Sequence, residues 1–259
     1  MRFRASVIVL SLMMLWIFDA GAGEGVFEIN QACAENSGCF PGDTPLFPVR
    51  IQESGSYRLT SNLTVPDENT TAITIAADDV TLDLNGFAIS GPTECTGDTV
   101  ICSPTGSGVG VSRNFPADRN ATVINGTVRG MGSHGIDLGP IQGGRVEGVS
   151  AISNGGVGIA AGGVVVQGNT ACLNGDDGIR SSRVVLNNMA RNNGGDGIQC
   201  DTGALVQSNT ASLNDGFGLR ALNAISGYAG NVLTNNAGGA VSGGTQIGIN
   251  FCGIDTTCP

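Results

Sequence analysis

The stretch Asn169-Thr170-Ala171-Cys172-Leu173-Asn174-Gly175-Asp176-Asp177-Gly178-Ile179 decides the fold. The chain repeats it as Asn188-Met189-Ala190-Arg191-Asn192-Asn193-Gly194-Gly195-Asp196-Gly197-Ile198. Units begin at Val149, Asn169, Asn188, Asn209 and Asn231, separated by 20, 19, 21 and 22 residues. Five positions into each unit stand Asn154, Asn174, Asn193, Asn214 and Asn236, and five further on Ile159, Ile179, Ile198, Leu219 and Val241. Val146, Val166, Val185, Val206 and Tyr228 form a second apolar column, and Ala151, Ala171, Ala190, Ala211 and Leu233 a third. An earlier unit fits with Val123, Val128 and Ile136 but places Met131 in the asparagine column.

Three short apolar segments in some twenty residues suit one turn of a parallel β-coil, with successive turns about 4.8 Å apart. A narrow core explains the preference for Val, Ile and Ala. Asparagine tolerates left-handed backbone at a corner, and stacked amides can hydrogen-bond along the axis. The glycines at Gly135, Gly158, Gly178, Gly197 and Gly218 are expected to give the next corner its permissive backbone. Leucine-rich repeats lack their leucine scaffold here, and several glycines per unit exclude helical solenoids.

Through the Asn-x-x-x-Gly-Ile units Asn154 to Ile159, Asn174 to Ile179 and Asn193 to Ile198, the chain resembles the right-handed parallel β-helix repeat family, the pectin-lyase-like group. The resemblance covers roughly residues 72–245. It implies an all-β, single-domain right-handed parallel β-helix, a three-strand solenoid with coils of 19–23 residues. It implies less about activity, since the family includes lyases, hydrolases, epimerases, phage tail proteins and members without known activity. The polygalacturonase-type hydrolases carry Asn-Thr-Asp, Asp-Asp, His-Gly and a lysine-bearing motif in that order. Here Asp176-Asp177 follows His134-Gly135, and the other two motifs are absent.

Composition narrows the chemistry further. Glycine supplies 42 of 259 residues, all 12 basic residues are Arg, and His134 is the single histidine. P-loop and Schiff-base lysines are therefore impossible, as is a multi-histidine zinc site. A net charge of −10 argues against nucleic acid as a partner. A hydrophobic content of 41% suffices for a core, so the glycine does not signal disorder.

Residues 1–22 read as a signal peptide: Met1-Arg2-Phe3-Arg4, an apolar run from Val7 to Phe18, then Ala20-Gly21-Ala22. The run is shorter than the ~20 residues of a membrane span, and no later stretch resembles one, so no span is expected after removal of the signal. The expected location is secreted, periplasmic or on the cell surface. Eight cysteines in an exported chain favour disulfides. Cys33 with Cys39, Cys95 with Cys102, and Cys252 with Cys258 form local pairs; Cys172 and Cys200 either pair or remain buried thiols. Residues 23–71 are read as an N-terminal cap with the first strands, 72–245 as the β-helix, and 246–259 as a disulfide-stapled C-terminal cap. Val80 to Gly86 is read as part of the first full turn, and residues 92–104 as a protruding inserted loop.

Stacking converts sequence columns into surface columns. His134, Val157, Asp177, Asp196 and Phe217 form one, and Asp137, Ala160, Arg180, Gln199 and Arg220 another. Asp177 and Asp196, one strand spacing apart beside Arg180 and Arg220, are candidate acid–base residues or calcium ligands. The alternative is that these aspartates are turn residues balanced by the arginines. Any Ser-His-Asp mechanism would have to use His134, although no serine sits in a nucleophile elbow. The resulting expectation is an exported β-helix protein that binds or modifies a polysaccharide or cell-surface glycan, with calcium as the conceivable cofactor. The rival expectation is a non-catalytic envelope or surface protein, structural or adhesive.

Overall fold

Each coil is built from strands of alternating burial. In Ile179–Ser181 the flanking side chains are buried while Arg180 faces outward, the pattern required of a strand with one face on a core. The computed structural model describes residues 25–114, 119–253 and 258; the expected signal peptide lies outside them. Nine such strands, from Val49–Ile51 to Gly239–Ser242, form one parallel sheet. The other two strand positions of each coil belong to a 17-stranded sheet. They merge because Arg119–Arg129 and Gln142–Ile152 run through both positions without a break.

The expected columns coincide with the observed register. Val146 pairs with Val166, then Val185, Val206 and Tyr228. Ile159 is followed by Ile179, Ile198, Leu219 and Val241. Val80–Asp83 does not open the first full turn, however. Val49–Ile51, Gly55–Leu59 and Leu63–Thr64 already make a complete coil beneath it. The repeat pattern does not reveal that coil, because its corners carry Ser54, Ser61 and Asn62 instead of the later asparagine–glycine columns. Helix Gln31–Asn36, capped by Asn30, lies over this end of the core. Gln31 ties it down: its backbone N–H donates to Ser61 Oγ and its side-chain amide to the Thr64 carbonyl.

The asparagines form two ladders. Asn174 Oδ1 accepts from the backbone N–H and Nδ2 of Asn154, while Asn174 Nδ2 donates to Asn193 Oδ1 and to the Ala151 carbonyl. The scheme continues through Asn214 to Asn236. A second ladder runs through Asn169, Asn188, Asn209, Asn231 and Asn250 at another corner. The left-handed backbone is not at the ladder asparagines, as expected from the sequence, but one residue earlier, at Leu173 (φ 56°), Asn192 (51°) and Leu213 (57°). The ladder residues themselves must aim their amides inward along the axis.

The glycine column is corrected in the same way. Gly158, Gly178 and Gly197 do not have positive φ. A Cβ on Gly178 would lie 2.7 Å from Asn193 Nδ2 and 2.7 Å from the Gly197 carbonyl oxygen. Glycine is needed here for close approach of the ladder, not for backbone freedom.

The three local disulfides form. Cys172 and Cys200 are free, because Cys172 lies in the 17-stranded sheet and Cys200 in the nine-stranded one. Residues 92–104 do not protrude. They contain the hairpin of Glu94–Thr96 with Ile101–Ser103, which folds along the coil corners. Cys102 Sγ approaches the Asn154 carbonyl at 3.7 Å, and the Val100 N–H donates to Asp215 Oδ2 at 3.1 Å, so the hairpin straps successive turns.

Candidate functional site

The outward side chains of the nine-stranded sheet carry Asp137, Arg180 and Arg220 of the titratable residues singled out in the sequence. Asp137, Ala160, Arg180, Gln199 and Arg220 are consecutive register neighbours. The column beside them, at the corner entering the sheet, holds His134, Asp177 and Asp196.

The two aspartates are buried, at 3% and 4% exposure, and each supports the coil above. Asp177 Oδ1 accepts the Asp196 N–H at 2.7 Å, and Asp196 Oδ1 accepts the Phe217 N–H at 2.7 Å. Asp177 Oδ2 accepts from both Arg180 Nη2 at 2.7 Å and Nε at 3.1 Å, two charge-assisted bonds converging on one oxygen. Arg220 Nη1 stands 3.6 Å from Asp196 Oδ2. Burial pushes the Asp177 carboxyl above its usual range and Asp176 adds to this, while the Asp196 amide and Arg180 oppose it. Burial alone would lower the Arg180 pKa, but its bonds to Asp177 and the two carboxylate charges hold it raised. A calcium ion on Asp177 and Asp196 would require Arg180 and Arg220 to leave these oxygens. Among the described residues no three His, Cys, Asp or Glu converge as a metal site.

His134 has a defined tautomer. Its Nδ1 accepts the Val157 N–H at 2.9 Å, which places the ring proton on Nε2. Asp137 Oδ1 accepts the Gly139 N–H at 3.0 Å. His134, Asp137 and Arg180 line one open groove of about 360 Å³, together with Ser182 and Asp201. Arg180 enters it with Nη1 unbonded to any described residue, since Nε and Nη2 are the atoms held by Asp176 and Asp177. The structure thus brings His134 and Arg180 into one groove and withdraws Asp177 and Asp196 into its supporting wall. Arg220 lies two rungs further along the sheet, outside the groove. Sequence reasoning missed Ser182 and Asp201. They follow Arg180 and Gln199 by two positions in their coils, and the same column arithmetic could have found them.

No family model matches this chain, and no curated protein sequence matches it. Among solved structures, the periplasmic alginate epimerase AlgG, in a variant form, superposes with a TM-score of 0.50 at 12% identity, covering 81% of this chain. The chain spans 61% of that epimerase's length. The Dettilon tailspike protein gives a TM-score of 0.49 at 14% identity, over 79% of this chain and 54% of the tailspike. The likeness to AlgG shows the fold, a right-handed parallel β-helix, and nothing finer.

Proposed function

We propose that the protein acts outside the cytoplasm and binds an extended polysaccharide along the outer face of the nine-stranded sheet. One observation carries this reading. The groove places the carboxylate of Asp137, the free Nη1 of Arg180 and the imidazole of His134 around a single open volume. Sugar rings present hydroxyls that accept from a guanidinium and donate to a carboxylate, and a uronate would add a carboxylate for Arg180 to pair. The groove is rigid because Arg180 is oriented by a buried carboxylate instead of moving freely. Three disulfides support an oxidising compartment, and the fold shared with AlgG, described as a periplasmic alginate epimerase, is compatible with a glycan ligand.

Binding without turnover is favoured over catalysis by the commitment of Asp177 and Asp196 to backbone amides and arginines. This also fits the rival reading of a non-catalytic surface or envelope module. Binding to arrays of uronate-containing and neutral glycans tests the proposal. Arg180→Ala and Asp137→Asn should each weaken binding about tenfold or more, while Arg58→Ala, on the other sheet, should not. Absence of binding to every glycan sinks the reading. Product formation in lyase or hydrolase assays, with or without calcium, would replace binding by catalysis.

A further inference from the structure

The hairpin of Glu94–Thr96 and Ile101–Ser103 walls a second open cavity, of about 490 Å³, which shares no residue with the groove on the nine-stranded sheet. Its floor is the outer face of the 17-stranded sheet, where Ser90, Arg129 and Ile152 are register neighbours in successive coils. Its wall is the start of the insert, from Gly91 to Thr96. Floor and wall are bonded to each other. The Gly91 N–H donates to the Arg129 carbonyl at 2.9 Å, and the Thr93 N–H to the Gly130 carbonyl at 2.8 Å. Thr93 Oγ1 is buried and donates to the Pro104 carbonyl beyond the hairpin's second strand, and the Cys95–Cys102 disulfide ties the two strands together. The cavity is therefore shaped before a ligand arrives.

Two opposite charges line this volume without partners. Arg129 Nε donates to Ser90 Oγ at 3.1 Å, which orients the guanidinium, while neither of its Nη atoms bonds to a described residue. The Glu94 carboxylate, on the hairpin wall, has no hydrogen bond or ion pair among the described residues, so the two side chains do not pair with each other. Thr96 and Ser153 add hydroxyls, and the lining contains no aromatic ring.

We propose that this cavity binds a neutral saccharide whose hydroxyls bridge Arg129 and Glu94. The lining selects that class. One guanidinium and one carboxylate leave the site without net charge, so an anion paired with Arg129 is repelled by Glu94, and a cation paired with Glu94 is repelled by Arg129. A hydroxyl both accepts and donates. Vicinal hydroxyls of one ring accept from the guanidinium fork, and their neighbours donate to the carboxylate. A nucleobase would lack a stacking platform here. A free amino acid would span the two charges but leave Thr96, Ser153 and much of the volume unused, and that volume lies within the roughly 300–1,000 Å³ of small-molecule sites. This site does not depend on the polysaccharide reading of the other groove, because the two lie on different sheets.

Titration calorimetry of the purified protein with neutral oligosaccharides of gluco, galacto and manno configuration tests this, with oligouronates and free amino acids as rival ligands. The expected result is a single site for a neutral saccharide. Arg129→Gln and Glu94→Gln should each weaken it by about tenfold or more, with an unchanged circular dichroism spectrum and Tm. Arg180→Ala should leave it intact, so a failure of glycan binding in the other groove is distinguishable from a failure here. Absence of binding by every neutral saccharide overturns the inference. So does binding that survives both substitutions in folded protein, binding that Arg180→Ala abolishes, or tighter Arg129-dependent binding of a uronate or an amino acid.

Discussion

The first and the later coils fill the same cross-section by different means. The early coils bury large side chains at many positions, among them Ile29, Tyr57, Leu59, Leu82, Leu84 and Ile89, whereas between Val146 and Ala211 the large fully buried side chains are Ile159, Ile179 and Ile198, all in one column. Beyond Val146 the inward columns are mostly Val and Ala, and the nine buried asparagines of the described residues all fall between Asn154 and Asn250. The early coils are thus held by apolar burial, at about 1.5–3 kcal/mol per large side chain. The later coils exchange part of that volume for amide ladders. These are stable only when every donor and acceptor is paired, because an unpaired buried amide costs about 1–3 kcal/mol. The difference teaches that regularity has a cost in tolerance: the polar core is the part that repeats most strictly, and the part where chemistry matters more than volume.

Substitutions can break this comparison, starting with the most damaging. Asn193→Asp keeps the size but places a carboxylate against the Ala171 carbonyl and Asn214 Oδ1, both of which now accept from the asparagine amide. A loss of about 3–5 kcal/mol is expected for an uncompensated buried charge, read by denaturant unfolding. Leu82→Ala in the early coils should cost about 2–5 kcal/mol through the cavity it leaves. Leu82→Met should be nearly neutral, an indifference to chemistry that the ladder positions cannot share. Gly178→Ala should cost about 1–3 kcal/mol by pressing a methyl on Asn193 Nδ2. Gly203, which has open space around it, should lose less on the same change despite its φ of 75°.

A smaller effect sharpens the reading of the buried aspartates. Asp177→Asn retains an oxygen for the Asp196 N–H but loses the charge facing Arg180, which is itself partly exposed. If capping is the main role, Asp177→Asn should cost less than about 1 kcal/mol and Asp177→Ala about 1–3 kcal/mol. Equal losses would show instead that the ion pair with Arg180 matters more than the bond to the Asp196 amide. The smallest effect concerns Cys200, whose thiol burial pushes up to about 11. At pH 8 it should react with a thiol reagent only upon unfolding, whereas half-buried Cys172 should react earlier. The folded state is favoured by the protonated Cys200 below about 9, and this contribution is lost as pH rises through about 11.

Much of this was readable in the chain because the asparagine and apolar columns recur at near-constant spacing. That spacing placed Asp137 beside Ala160 and Arg180, and His134 one column away, without any coordinates. It could not show that the glycines make room for amides, since that depends on the distance between neighbouring coils. Nor could it show the hairpin strapping Asn154 and Asp215, contacts spanning 52 and 115 residues. The first coil was hidden because its corners lack the later pattern, although its apolar residues are equally buried.

By itself, the sequence determined the architecture. A periodic arrangement of small apolar residues, Asn and Gly can satisfy both burial and backbone bonding only by stacking upon itself. The tertiary structure decided which polar residues are scaffold and which are free. Asp177, at the corner, and Arg180, on the strand it leads into, stand three positions apart, yet one is sealed under the next coil while the other reaches the groove. That division depends on which atoms the neighbouring turn covers, and no local spacing specifies it.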